Sequence, residues 1–227
     1  MKTLEKSLPI IVNDWLDSKE ILKNNFSIGI PEGSYLELAN SEVSSQYYEV
    51  LKILKQNSLP IKSFQLVEDI NIYNDILDKI TCAELYKVHK NWFQDYKNLY
   101  KPLSRESIEI GKSISNNELK LLLERARTDQ KKIQSFMRDN KIDVWIAPVA
   151  PNLAPKGLNS TGDYRMNSFW SYCGLPVVSI PTGVNENNLP YSIQIIGQYG
   201  KDEELIKISK YIQKIIAVNN PLNEWEL

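Results

Sequence analysis

Apolar residues in the first third of the chain recur at helical spacing between two short apolar runs. Asn40 or Ser41 precedes the helical pattern and is a suitable N-cap residue. The runs at 26–30 and 61–67 on either side predict strands. This order of strand, helix and strand predicts a βαβ unit with parallel strands. The apolar face of the predicted helix consists of Val43, Tyr47, Val50, Leu51 and Leu54.

The middle of the chain, residues 71–134, has mostly helical periodicity. Its first apolar stripe is expected to pack in the core rather than to bind a cofactor. Pro102 interrupts the pattern, and Asn117 is the expected N-cap of the next helix. We therefore expect a helical insertion at about 71–140 within a single α/β domain that spans residues 1–227. The residues of the stripe are Leu85, Val88, Trp92, Tyr96 and Leu99.

After Asp143 the chain changes to short apolar runs separated by prolines and glycines. The runs at 144–147, 177–180 and 193–196 are rich in β-branched residues, which is typical of strands buried on both faces of a sheet. A last amphipathic helix is predicted to begin at Asp202. The alternation of strands and helices predicts an α/β fold with a mixed, largely parallel sheet flanked by helices.

The composition is that of an ordinary globular protein of 227 residues, and it excludes several functions. The 27 Lys and Arg residues balance the 28 Asp and Glu residues, so direct binding of nucleic acid is disfavoured. No apolar run reaches the roughly 18–20 residues that span a bilayer, and the N-terminus lacks the apolar core of a signal peptide. Cys82 and Cys173 form no disulfide framework. We expect a cytoplasmic protein without a membrane partner.

Few residues offer a familiar catalytic or cofactor chemistry. The nine glycines are scattered and form neither a P-loop nor a dinucleotide-binding loop. One histidine and two cysteines are too few for a typical zinc site. His89 lies five positions after Glu84, which is a poor spacing for helical neighbours, so a structural role is favoured. Cys173 has no accompanying histidine, so a structural thiol is favoured over a nucleophile.

The stretch from Asp143 to Gly197 carries a specific series of short motifs. In order they are DVWIAP at Asp143–Pro148, AP at Ala154–Pro155, TGD at Thr161–Asp163, MN at Met166–Asn167, GLP at Gly174–Pro176, SIPTG at Ser179–Gly183 and QIIG at Gln194–Gly197. In this order and spacing they resemble the C-terminal half of the amidase signature enzymes. One departure is Ser192, where the family usually has glycine. The resemblance extends over nearly the whole chain and is strongest in its last third.

The resemblance implies amide hydrolysis or transfer by a serine nucleophile, a second serine and a lysine base, without a metal or organic cofactor. Desolvated lysine can relay a proton through the bridging serine, and backbone N–H groups of a Gly/Ser-rich loop stabilise the oxyanion. In the family these groups lie in the N-terminal half, and this sequence has no Gly/Ser-rich stretch. We therefore expect the non-nucleophilic half of such an enzyme, inactive without its counterpart.

The same resemblance implies that this half walls the substrate funnel. For each implied residue a structural reading stays open: the glycines and the proline can form turns, Trp170 can be core, and Asp163 can cap the following helix. Arg127 matches an arginine with which some members hold a carboxylate or a polar substrate end. The candidate substrate-binding residues are Thr161, Gly162, Asp163, Asn167, Trp170, Gly174, Pro176, Gln194 and Arg127.

Two hypotheses follow from the sequence. The first is the C-terminal substrate wall of a serine amidase that acts on small amides, with an N-terminal amidase half or a homo-oligomer as partner. Within this class, part of an A-type subunit of a glutamine-dependent tRNA amidotransferase is the alternative. The second hypothesis is a non-catalytic remnant or binding module, since half a sheet exposes an unpaired edge and apolar surface.

Overall fold

Five strands form one mixed sheet in the computed structural model, which describes residues 2–12, 15 and 26–219. Their spatial order is β2-β1-β3-β5-β4. β1 pairs in parallel with β2 and β3, whereas β5 pairs antiparallel with β3 and β4. The strands are β1 (Ile28–Glu32), β2 (Ile61–Gln65), β3 (Val144–Pro148), β4 (Val177–Val184) and β5 (Pro190–Ile196).

Helices cover both faces of this sheet, which confirms the predicted α/β class and the mixed sheet flanked by helices. Two of the four strand pairings are parallel. None of the helices that the structure describes is long and apolar enough to cross a membrane. The helices are α1 (Lys2–Ile11), α2 (Ser41–Gln56), α3 (Ile70–Tyr96), α4 (Pro102–Ser113), α5 (Asn116–Asp139), α6 (Arg165–Tyr172) and α7 (Asp202–Asn219). Short 3-10 segments occupy Gly33–Leu38 and Lys97–Leu99.

The alternating side chains of β3 divide the core into two layers. Val144 and Ile146 face α2 and α7, while Trp145 and Ala147 face the side of α3, α5 and α6. All five residues of β3 are buried, as expected for the central strand of a sheet covered on both faces. Of the single domain predicted over 1–227, residues 1, 13–14, 16–25 and 220–227 lie outside the described residues.

Side-chain caps fix the beginnings of two predicted helices. Asn40 is the N-cap of α2, and its Oδ1 accepts a 2.8 Å hydrogen bond from the backbone N–H of Val43. The expected cap Asn117 is wrong, because Ser115 is the N-cap of α5 and accepts a 3.1 Å bond from the N–H of Glu118. The spacing of Ser115 and Glu118 is that of a capping box, which was readable in the sequence.

The apolar stripe on α3 is not core, contrary to expectation. Val88, Trp92, Tyr96 and Leu99 are 65%, 56%, 55% and 79% exposed, and Leu85 is half-buried. α3 has 27 residues and so is roughly 40 Å long, and its second half extends past α6. α4 packs on a neighbouring face of α3, where Phe93 is buried, and it leaves the stripe exposed.

The outermost strand, β4, is buried on one face only, although both faces were expected to be buried. Ile180 and Thr182 are 1% exposed and point to one side of the sheet. Val177, Ser179 and Pro181 alternate with them and are exposed. β4 is the last strand of the sheet. Its open face lies on the α6 side, because Ser179 is in register with Gln194 and residues in register point to the same face; the buried side chain of Gln194 points toward α6.

Candidate functional site

A cleft of about 370 Å³ lies where β3 ends and β5 begins. One wall is the segment 149–155 that follows β3, and the facing wall is the loop 161–164 that leads into α6. The N-terminal half of α2 and the start of β5 complete the lining. The cleft therefore lies at one end of the central strands, where four elements converge. Strand ends are a common position for ligand sites in α/β folds.

Hydrogen bonds tie α2 to the wall that follows β3. The buried hydroxyl of Tyr47 donates a 2.8 Å bond to the carbonyl of Ile146. The backbone N–H of Asn40 donates to the carbonyl of Pro151 at 2.9 Å, and its amide nitrogen donates to Oδ1 of Asn152 at 3.0 Å. These bonds make α2 a fixed side of the cleft.

The loop that forms the facing wall is shaped by a glycine and an ion pair. Gly162 has φ +98, a conformation that favours glycine, and its N–H donates to Oγ of Ser160 at 3.1 Å. The guanidinium of Arg165 donates to both carboxylate oxygens of Asp163, with Nε–Oδ1 at 3.1 Å and Nη2–Oδ2 at 2.6 Å. These bonds hold the pKa of Asp163 below its usual value. Asp163 also accepts from the N–H of Arg165 at 3.0 Å, at the start of α6.

Two tyrosines of the cleft donate to carboxylates on neighbouring helices. The hydroxyl of Tyr164 lies 2.8 Å from Oδ1 of Asp78 on α3, and that of Tyr191 lies 2.6 Å from Oε1 of Glu42 on α2. The acceptor carboxylate in each pair raises the tyrosine pKa to about 12. Each phenol is protonated at neutral pH, and its carboxylate partner fixes the direction in which it donates.

A buried hydrogen-bond network lies beneath the cleft. Trp170 Nε1 donates to the hydroxyl of Tyr35 at 2.8 Å, and this hydroxyl donates to the carbonyl of Met166 at 2.7 Å. The amide nitrogen of Gln194 lies 2.8 Å from the carbonyl oxygen of Pro148 and 3.0 Å from that of Met166. Sequence reasoning missed Tyr35, because its partners are 131 to 159 positions away and no local pattern marks it.

The nine predicted site residues fall into three groups. Thr161, Gly162, Asp163 and Asn167 line the cleft, while Trp170 and Gln194 are buried beneath it and are not in its lining. Gly174 and Pro176 follow the C-terminal end of α6, and Arg127 is exposed on α5; none of the three lines the cleft. Direct contact of these residues with a substrate stays a prediction.

The two residues that the sequence offered as alternative catalytic groups both have structural surroundings. Burial raises the pKa of the Cys173 thiol well above its usual value, which disfavours the reactive thiolate. His89 Nδ1 lies 2.9 Å from the hydroxyl of Tyr100, and His89 is not part of the cleft lining. Neither residue is placed to act in the cleft.

The lining of the cleft can bind polar uncharged groups. It presents hydroxyls, the amides of Gln46, Asn152 and Asn167, and apolar contacts from residues such as Leu153. Within this lining, which is built from described residues alone, there is no lysine, histidine or cysteine beside a hydroxyl, so no activated nucleophile is assembled there. The arrangement is that of a binding wall.

Solved amidases share this fold. A structure described as a crystal structure of an amidase superposes with a TM-score of 0.74 at 16% identity, covering 84% of this chain and 46% of that chain. The family model described as Amidase matches residues 1–206. The chain therefore belongs to the amidase family.

Curated relatives at the sequence level belong to a transamidation enzyme. The A subunit of glutamyl-tRNA(Gln) amidotransferase from Lachnospira eligens is 26% identical over 213 residues, which cover 79% of this chain and 43% of the relative. Its counterpart from Ehrlichia canis is 36% identical over 88 residues, which cover 36% of this chain and 18% of the relative. The chain spans less than half the length of these relatives.

Proposed function

We propose that this chain forms the substrate wall of a serine amidase that hydrolyses small carboxylic amides by acyl transfer. The observation that carries the proposal is the cleft, which gathers Thr161, Gly162, Asp163 and Asn167 of the family motifs around uncharged polar groups. The nucleophilic serine, the bridging serine and the lysine base are supplied by an N-terminal amidase portion, on the same or on a separate polypeptide. This chemistry needs no metal or organic cofactor, and its proposed place is the cytoplasm.

Two features of the cleft support an amide as the substrate. An amide group offers one carbonyl acceptor and N–H donors, which match the mixed amide and hydroxyl groups of the lining. The guanidinium of Arg165 is paired with Asp163, so the described lining of the cleft offers no unpaired cation to hold a substrate carboxylate. The acyl group therefore meets polar and apolar surface on this wall, in which the carboxylate of Asp163 is paired with Arg165.

The open face of β4 supports an N-terminal portion as the partner. Val177, Ser179 and Pro181 are exposed on the side of the sheet that carries α6, and the outer edge of β4 pairs with no strand among the described residues. The curated relatives have more than half of their length outside the matched region. A further portion that pairs with the outer edge of β4 and packs on this face would bring the serine groups beside the cleft.

The test is reconstitution. The chain is expressed alone and together with a matching N-terminal amidase portion that contains the two serines and the lysine, and hydrolysis of simple aryl and alkyl amides is measured. We expect no serine-dependent turnover by the chain alone and measurable turnover by the pair. Turnover by the purified chain alone would contradict the proposal, as would a folded pair that never turns over.

A matched pair of variants tests the wall itself. Asn167→Leu removes an amide from the cleft, whereas Asn187→Leu changes an exposed asparagine in the turn between β4 and β5. In the reconstituted pair we expect Asn167→Leu to raise KM by about tenfold and Asn187→Leu to leave it unchanged. Equal effects of the two variants on KM would show that Asn167 does not contribute to substrate binding by the wall.

The names of the curated relatives favour a second candidate. Since they are A subunits of glutamyl-tRNA(Gln) amidotransferases, the same wall could receive glutamine and release ammonia for transfer. The discriminating measurement is ammonia release from L-glutamine by the reconstituted pair, compared with release from acylamides of similar size. A preference for glutamine would support the amidotransferase role, and absence of turnover on both substrates would favour a non-catalytic binding module.

A further inference from the structure

One buried side chain, Gln194, connects three of the chain segments that line the cleft. Gln194 is 1% exposed and belongs to β5, directly after Ser192 and Ile193 of the lining. Its amide reaches the carbonyl of Pro148, where the segment 149–155 begins, and the carbonyl of Met166, next to Asn167 of the facing wall. A single group therefore contacts the root of each wall.

The chemistry of the contacts fixes the orientation of this amide. The carbonyl oxygens of Pro148 and Met166 only accept hydrogen bonds, so the –NH₂ group of Gln194 must face them. The hydroxyl of Tyr35 is a third acceptor at 3.1 Å. Two amide hydrogens serve these three acceptors, so one of them is shared.

Tyr35 secures only one of the two walls. Its hydroxyl donates to the carbonyl of Met166 at 2.7 Å and accepts from Trp170 Nε1, both within α6. No bond of Tyr35 reaches Pro148 among the described contacts. Of these two residues, only Gln194 reaches the segment after β3, which Asn40 also holds farther along at Pro151 and Asn152. The start of α6 is held by Gln194 and Tyr35 together.

The surroundings of the amide oxygen of Gln194 show that packing alone does not explain a glutamine at this position. Oε1 is buried and has no hydrogen-bond partner among the residues that the structure describes. A buried acceptor without a donor is destabilising, and a methionine of similar shape would avoid that cost. The amide is therefore better explained by the bonds of its nitrogen than by packing.

We propose that Gln194 is the positioning residue of the cleft, which sets the separation of the 149–155 and 161–167 walls through its amide nitrogen. It acts through the backbone of Pro148 and Met166 and makes no contact with the cleft itself. The further statement that this cleft receives an amide rests on the proposed function. The positioning itself is measurable on this chain alone.

The experiment is hydrogen exchange by mass spectrometry on the chain and two variants. Gln194→Met keeps the shape and removes both carbonyl contacts, so exchange should rise about fivefold or more in peptides covering 149–155 and 161–168. Tyr35→Phe removes the bonds of this hydroxyl with Met166, Trp170 and Gln194, none of which reaches 149–155. Exchange should therefore rise in 161–168 and stay unchanged in 149–155. If Gln194→Met does not fold, Tyr35→Phe still tests the proposal, because the proposal requires its effect on exchange to be confined to 161–168.

Ser209→Ala is the matched control, because Ser209 is equally buried and its Oγ has no hydrogen-bond partner among the described residues, but it lies on α7. It should leave both walls at wild-type exchange. A uniform rise over the whole chain, or no local rise in either variant, would overturn the proposal. Loss of protection in both walls with Tyr35→Phe would also overturn it, because generic loosening of the core would then explain the data.

A second readout separates this inference from the proposed function. In the reconstituted pair, Gln194→Met should raise KM about tenfold while kcat stays within about twofold, since the walls bind the substrate and the reacting groups lie elsewhere. A fall in kcat at unchanged KM would overturn the positioning role. If the pair never turns over, the proposed function fails, and the exchange data alone decide the role of Gln194.

Discussion

The hydroxyl of Tyr164 donates a 2.8 Å hydrogen bond to Oδ1 of Asp78, 86 positions earlier in the chain. This bond joins the cleft loop before α6 to the first half of α3, the helix whose second half extends past α6. The carboxylate acceptor raises the pKa of Tyr164 to about 12, so the phenol remains a donor at neutral pH. The loop therefore has an anchor outside the cleft.

Removal of this anchor should loosen one wall. Tyr164→Phe deletes the hydroxyl and keeps the ring, so we expect about a threefold or larger rise in hydrogen exchange for peptides covering 161–168. Tyr199→Phe, at an exposed tyrosine outside the cleft, is the control and should change nothing there. Unchanged exchange in Tyr164→Phe would mean that the bond does not hold the loop.

The Asp163–Arg165 pair predicts a pH dependence of the same loop. Hydrogen bonds from Arg165 lower the pKa of Asp163, so the stabilisation is present above the ordinary aspartate pKa of about 4 and is lost as pH falls through the lower folded value. A carbon-13 NMR titration of the Asp163 carboxyl should therefore have its midpoint below the ordinary value. Asp163→Asn should abolish the acid-induced change in the loop, and a midpoint at or above the ordinary value would contradict the pairing.

Two tryptophans should differ sharply in their contribution to stability. Trp92 is 56% exposed on α3, whereas Trp145 is fully buried in β3. In urea unfolding we expect Trp92→Ala to change the free energy of unfolding by less than about 0.5 kcal/mol and Trp145→Ala to lower it by about 3–5 kcal/mol. A large loss in Trp92→Ala would show that the α3 stripe is covered after all.

The contact between α3 and α4 should not tolerate one added methyl group. A Cβ built on Gly111 would lie 1.9 Å from the carbonyl oxygen of Cys82, a backbone atom that cannot move by itself. Alanine gains about 1 kcal/mol of helix propensity over glycine, yet we expect Gly111→Ala to destabilise the protein by about 1–3 kcal/mol because the helices must separate. Thermal unfolding measures the effect, with exposed Lys112→Ala as the neutral neighbour. A more stable Gly111→Ala protein would contradict the close approach.

Local sequence patterns predicted the elements of the fold well, because their causes are local. The apolar spacing from Val43 to Leu54 matches the buried face of α2, and the β-branched runs lie within β3, β4 and β5. The cap of α5 was placed two residues late, at Asn117 instead of Ser115, although the decisive Glu118 was visible. The difference arose because the prediction considered the N-cap residue alone and not the glutamate three positions after it.

The errors arose where burial depends on what lies next to an element. The spacing that placed Val43 in the core also occurs at Val88 and Trp92, but no described element covers α3 there. Likewise, Val177 has the composition of a buried strand and is exposed because β4 is outermost. Of the site, the residues within 161–167 were predictable from local motifs, whereas Tyr35 was not, because its role depends on partners more than a hundred positions away.

The order of β3, β5 and β4 in the sheet has a consequence for synthesis of the protein. β3 is complete at Pro148, but the strand that pairs with it on one side, β5, ends only at Ile196. A ribosome must therefore release almost 50 further residues before that pairing and the Gln194 contacts can form. Throughout that interval one edge of the apolar strand β3 lacks its partner, even when β1 is paired on the other side, and an open apolar edge favours aggregation of the nascent chain.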